Sequence, residues 1–326
     1  MNRRRFLGAT GIALGAYASQ RELAAASPVS TKSHSLAAEW PKLTPDSYPD
    51  RCQVAGVAIG KDGNILALNR GENHWDPKNG FKREPIHKPA VLVIDPNTGS
   101  LVSSWGADMF VMPHQIYVDS AGNVWIVDCG LNKVFKFDAA GSKLLEIGGP
   151  DIGFQMPTDV TVLSNGNLVV SDGYQNTRVV MFDNAGKLLA AWGTKGRAAL
   201  QFNTPHSITC DENDLLYIAD RENHRVQVLN AKGKVQGIWT NVERPLTLRF
   251  AADSIFVLSN LEAAKGIVRQ FSKQGKVMAS FPTKPAGTTE DFEWPHGLAV
   301  NADGSQVYIG FTLTGRRVQR YQRVKE

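Results

Sequence analysis

The chain has 326 residues, 42% of them hydrophobic and 21% charged, with 30 glycines and no low-complexity tract, the composition of a soluble globular protein with room for one large β domain or two ordinary ones. Its formal net charge of +5 falls to +2 once residues 1–26, with four arginines and one glutamate, are set aside. The remaining Lys and Arg are interspersed with acids, which excludes a nucleic-acid partner.

The first 26 residues read as a signal peptide. Arg3 to Arg5 precede Phe6-Leu7, an apolar Gly- and Ala-rich stretch too short to span a bilayer, and a small-residue cleavage site near Ala24 to Ala26. Arg3-Arg4-Arg5-Phe6-Leu7 matches the twin-arginine signature, so the expected partner is the Tat export machinery. The mature protein is expected in the periplasm or beyond, as a monomer with no stable membrane insertion after cleavage. Residues 27–51 are polar and punctuated by proline, as in a linker or surface arm. Three cysteines, Cys52, Cys129 and Cys210, allow at most one intramolecular disulfide and a free thiol, with the pairing open.

From residue 52 to 326 one frame recurs. "GNVWIVDCGLNKVFKFDAAGSKLLEIGG", "GNLVVSDGYQNTRVVMFDNAGKLLAAWG" and "DLLYIADRENHRVQVLNAKGKVQGIW" each hold an apolar strand ending in Asp, a turn to Lys or Arg, a second strand, a Gly-containing hairpin and a third strand. Three looser copies bring the count to six, and a short inner strand precedes each. Four strands per repeat predict a six-bladed β-propeller, a closed all-β ring with almost no free sheet edge.

Three inner strands begin with Pro-His, at His114, His206 and His296, with spacings of 92 and 90 residues. Counting along the frame places Thr158 and Thr247 at the same position in the blades between. Taken singly, a Pro-His pair is an ordinary strand start. Three of them on alternate blades of a sixfold ring converge on the axis, and three neutral imidazoles with an open fourth position are how a catalytic zinc is held. His34, His74, His87 and His224 lack this phasing and are expected on the surface or in loops.

Departures from the frame point to the same place. The repeated acids Asp128, Asp172 and Asp220 are expected to pair with Lys133, Arg178 and Arg225. Tyr174 follows Asp172-Gly173, Arg221 follows Asp220, and Arg70 aligns with Arg221 in the first blade. All three are predicted to surround the metal. A tyrosine between a dication and two guanidiniums is expected to have its pKa lowered toward the range of a general base.

At these residues the chain resembles the peptidyl-α-hydroxyglycine α-amidating lyase family of NHL-repeat propellers. "MPHQIYVD", "VVSDGYQNTRVVMF" and "YIADRENHRVQVL" carry the resemblance, which spans residues 52 to 325. It implies that His114, His206 and His296 bind zinc, that Tyr174 is the base, and that Arg70 and Arg221 line the site. It implies a structural calcium on the channel axis, held partly by the backbone carbonyls of Val57 and Ile116. The implied substrate is a small-molecule or peptide carbinolamide that breaks down to an amide and glyoxylate. Three positions depart from the family: Gly297 replaces an acidic residue at the calcium, Trp294 replaces a methionine, and Gln175 replaces a cysteine. A non-catalytic propeller that binds a protein or peptide, and a lactonase-like metal-dependent hydrolase, are the alternatives. The second would favour carboxylate ligands over imidazoles.

Overall fold

A computed structural model describes residues 32–43, 53–76, 78–262, 265–283, 293–314 and 317–324. The twin-arginine segment and Cys52 lie outside the described residues. Six four-stranded antiparallel sheets, numbered blades 1 to 6, follow one another along the chain. Their inner strands are Val54–Ile59, Pro113–Val118, Asp159–Val162, Pro205–Cys210, Arg244–Ala251 and Glu293–Val300. Each inner strand adjoins the next around a ring, and that of blade 6 returns to that of blade 1.

The residues explain the layering. The second strand of a blade, such as Val124–Asp128 or Leu216–Asp220, is buried along its whole length, because neighbouring blades cover both its faces. The outer strand Lys143–Gly148 is largely exposed. Apolar faces meet in six clusters, one at each junction between blades, so every blade is clamped on two sides.

The hairpin between third and outer strands repeats one device. Asp138, Asp183 and Asn230 each accept the backbone N–H groups two and four residues on. The turn then needs a left-handed residue, supplied by Gly141, Gly186 and Gly233 with φ of 88°, 85° and 77°.

Ring closure differs from the sequence reading, which starts the propeller at residue 52. The outermost strand of blade 6 is His34–Leu36, paired antiparallel with Arg317–Arg323. Part of the arm thus completes the last blade. His34, expected on the surface or in a loop, is buried in this strand with Nε2 3.0 Å from the Gly304 carbonyl. A three-residue strand is too short to leave a period in the sequence.

The paired acids hold in two blades of three. Asp172 accepts Arg178 Nε at 2.9 Å, and Asp220 accepts Arg225 Nε at 2.6 Å. Asp128 takes no lysine. Its carboxylate accepts four backbone N–H groups, from Val111, Met112, Gly130 and Leu131, while Lys133 pairs with Glu146. Four amide donors satisfy a buried carboxylate without a cation.

Candidate metal centre and active site

The inner strands are not regular where they begin. In blades 2, 4 and 6 the ladder pairs Pro113, Pro205 and Pro295, skips one residue, and resumes at Gln115, Ser207 and Gly297. The skipped residues are His114, His206 and His296. A bulge frees one residue from the ladder and re-aims its side chain. Here it turns each imidazole toward the channel axis.

The same bulge corrects the register in blade 5, where Pro245 pairs, Leu246 is skipped and Thr247 resumes. Leu246, not Thr247, therefore occupies the histidine position. Each imidazole Nδ1 donates to the carbonyl of the equivalent residue in the next blade: His114 to Thr158 at 2.5 Å, His206 to Leu246 at 2.8 Å and His296 to Ala55 at 2.6 Å. A carbonyl only accepts, so Nδ1 carries the hydrogen and Nε2 presents a lone pair.

The three rings are buried, with centroids 4.7 to 5.1 Å apart. Their ligand atoms all lie within 4.8 Å of one another, and among the described residues they form the one such cluster of His, Cys, Asp or Glu. Burial comes first in holding all three imidazoles neutral. His296 and the Arg70 charge add to it at His114, and Arg221 and the other two imidazoles add to it at His206. Burial and then Arg70 push His296 down to about 3. Three neutral imidazoles, each oriented by a carbonyl behind it, are a donor set that fits a borderline-soft cation such as zinc.

Tyr174 reaches this cluster from blade 3. Its Oη lies 3.0 Å from His114 Nε2 and 3.1 Å from His206 Nε2, so one hydroxyl proton faces two lone pairs. Gly173 permits the approach, since a Cβ there would stand 1.9 Å from the Pro205 carbonyl oxygen. Trp75 stacks on the phenol at 5.6 Å, and the Arg221 guanidinium lies 5.4 Å from the ring centroid. The expected lowering of the phenol pKa is not met by the protein's own groups. Burial raises it, outweighing the opposing pull of Arg221 and Arg70.

Arg70 is buried, with Nε donating to the Pro113 carbonyl at 3.1 Å and Nη1 to Gln53 at 3.0 Å. It lines a cavity of about 300 Å³ together with Tyr174, Arg221 and His296. Trp75, Arg244 and Trp294 complete much of the wall. Sequence reasoning missed Arg244 and Glu222. The Glu222 carboxylate accepts Arg221 Nε at 2.8 Å and Arg244 Nη2 at 2.5 Å, and Arg244 stacks over Trp294 at 5.2 Å. One carboxylate thereby fixes two guanidiniums at the cavity rim. Val57 and Ile116 sit below the imidazoles, buried on the inner strands of blades 1 and 2. Among the described residues Cys129 and Cys210 form no disulfide.

Fold and site together define a six-bladed propeller with a trigonal histidine centre at one mouth of its channel. An NHL repeat model matches residues 202–229, within blade 4. Peptidyl-alpha-hydroxyglycine alpha-amidating lyase 2 of Drosophila melanogaster is 32% identical, over 82% of this chain and 70% of that protein. The chain belongs to the peptidyl-α-hydroxyglycine α-amidating lyase family. The peptidylglycine alpha-amidating monooxygenase of Rattus norvegicus is also 32% identical, over 86% of this chain, but the chain spans only 32% of its length. Among solved structures, a streptogramin B lyase shares the fold with a TM-score of 0.58 and 15% identity, covering 85% of this chain and 95% of that one.

Proposed function

We propose that this chain is an exported, zinc-dependent lyase that cleaves an N-acyl α-hydroxyglycine into an amide and glyoxylate. The observation that carries the reading is the convergence of three Nε2 lone pairs with the Tyr174 hydroxyl in a buried cavity walled by arginines. Zinc held by His114, His206 and His296 would supply Lewis acidity toward the substrate hydroxyl and the positive charge that tips the buried Tyr174 phenol toward phenolate.

In this reading Tyr174 Oη takes the hydroxyl proton and returns it to the departing amide nitrogen. The electrons of the O–H bond form the new carbonyl as the C–N bond breaks, so atoms and charge balance. Arg70 and Arg221 bind the substrate carboxylate, and Glu222 keeps Arg221 pointed at it. The aromatic wall of Trp75 and Trp294 receives the acyl group and excludes water. A lactonase-like hydrolase is less favoured, because the centre offers imidazoles and no carboxylate.

The test is metal analysis of the purified mature protein, coupled to glyoxylate release from an N-acyl α-hydroxyglycine. About one zinc per chain and turnover that tracks zinc content are expected. Zinc-independent turnover, or none with the zinc site full, would sink the proposal. Export through the twin-arginine route follows from residues 3–7. Cell fractionation should find the mature chain outside the cytoplasm, and only when Arg3 and Arg4 are intact.

A further inference from the structure

Directly beneath the imidazoles, the residues one position further along the inner strands form a second layer around the channel: Gly56, Gln115, Asp159, Ser207, Thr247 and Gly297. This is where the family resemblance implies a structural calcium on the carbonyls of Val57 and Ile116. A calcium site needs six to eight oxygens, carboxylates prominent among them. The channel residues do not fit that requirement.

Arg249 reaches across the channel from blade 5. Its Nη1 lies 2.9 Å from Asp159 Oδ2 in blade 3 and 2.7 Å from the Leu248 carbonyl. Nη2 lies 3.2 Å from Gln115 Oε1 and 3.4 Å from the Ile116 carbonyl, both in blade 2. Asp159 Oδ2 also accepts the Ser207 hydroxyl of blade 4 at 2.6 Å, and Gln115 Nε2 donates to Thr247 Oγ1 of blade 5 at 3.1 Å. All of these side chains are buried.

Three consequences follow from this arrangement. The one carboxylate of the layer is already neutralised by a guanidinium. The Ile116 carbonyl already has a cationic donor at the edge of hydrogen-bond range. On the remaining side, Gly297 stands where the family has its acidic ligand, and a Cβ added there would lie 2.8 Å from Gly56 Cα. Blades 1 and 6 therefore meet backbone to backbone, leaving no space for a carboxylate side chain. A dication in this layer would meet a like charge with no free anion to offset it.

We propose that Arg249 is the channel's resident cation, and that its ion pair with Asp159, not a bound calcium, ties blades 2, 3, 4 and 5 together. The protein is therefore calcium-independent in stability as well as in composition. The pair is buried, so removing one partner leaves the other charged and unpaired, whereas removing both leaves a neutral channel.

The test uses mature protein dialysed into calcium-depleted buffer with zinc supplied, then melted with and without added calcium. Wild type is expected to retain no calcium by atomic emission and to show the same Tm in both conditions. Arg249→Met is expected to lower Tm by roughly 5–15 °C. The double variant Arg249→Met with Asp159→Asn should recover most of that loss. Calcium retained in a fixed ratio to wild-type chain, a Tm raised by calcium, or an Arg249→Met protein that melts like wild type would each overturn the proposal. If Arg249→Met alone does not fold, the wild-type calcium measurement and the double variant decide. Failure here would leave zinc content and glyoxylate release untouched, so the two readings stand or fall separately.

Discussion

His206→Ala is expected to strip the metal from the protein while leaving the propeller folded. The imidazole supplies one of three ligand atoms that lie within 4.8 Å of one another, and a pair of histidines without the third holds zinc weakly. Zinc per chain should fall from about one to near zero, and glyoxylate release by more than about 10³-fold. The fold should survive, because the substitution leaves all six inter-blade apolar clusters intact. Its local cost is the Leu246 carbonyl, which loses the N–H of His206 at 2.8 Å, about 1–3 kcal/mol. Inductively coupled plasma analysis, circular dichroism and the glyoxylate assay on one preparation check all three statements. Full zinc occupancy in the variant would remove His206 from the ligand set.

Tyr174→Phe should separate the metal from the chemistry. Phenylalanine keeps the ring that stacks on Trp75 at 5.6 Å and lies beside Arg221, so the cavity wall stays in place. Only the hydroxyl is lost, and with it the group positioned 3.0 and 3.1 Å from two of the imidazoles. Zinc content is expected to match wild type, substrate KM to change little, and kcat to fall about 10²- to 10⁴-fold. Unchanged kcat would mean that the proton travels by another route. The split between binding and turnover matters here, because a residue that merely packed the wall would raise KM as well.

The two variants probe different layers of the same design. A bulge at the start of three inner strands aims the imidazoles, and a glycine at position 173 lets the phenol lean onto them. Both devices are backbone features, and the side chains they deliver come from segments 32 to 182 residues apart in the chain. Rigid inner strands clamped on two sides hold these groups, which is what a site needs to keep its geometry without a ligand present.

Much of this was legible in the residues themselves. The Asp-ended strand, the Gly-containing hairpin and the phased Pro-His pairs recur with four strands to each repeat, as in a propeller blade, and hydrophobic alternation is a local property that sequence displays directly. Asp172 with Arg178 and Asp220 with Arg225 were readable because each pair sits within one turn. What stayed hidden depended on register or on contacts across the ring. A one-residue bulge moves Leu246 into the position that counting assigns to Thr247. Glu222 and Arg244 look like ordinary loop and strand charges until blades 4 and 5 bring them within 2.5 Å. Arg249 reads as a lone charge in an apolar strand, yet it meets Asp159 90 residues away in the chain.

The sequence by itself determined the blade count, the placement of the three histidines on alternate blades and the identity of the tyrosine beside them, because each is set by spacing along one chain. Only the tertiary structure decided which strand closes the ring, whether the phenol is acidified by its neighbours, and that Arg249 and Asp159 face each other across the channel. Those outcomes depend on desolvation and on partners facing each other across the axis, and neither is written in the order of residues along a strand.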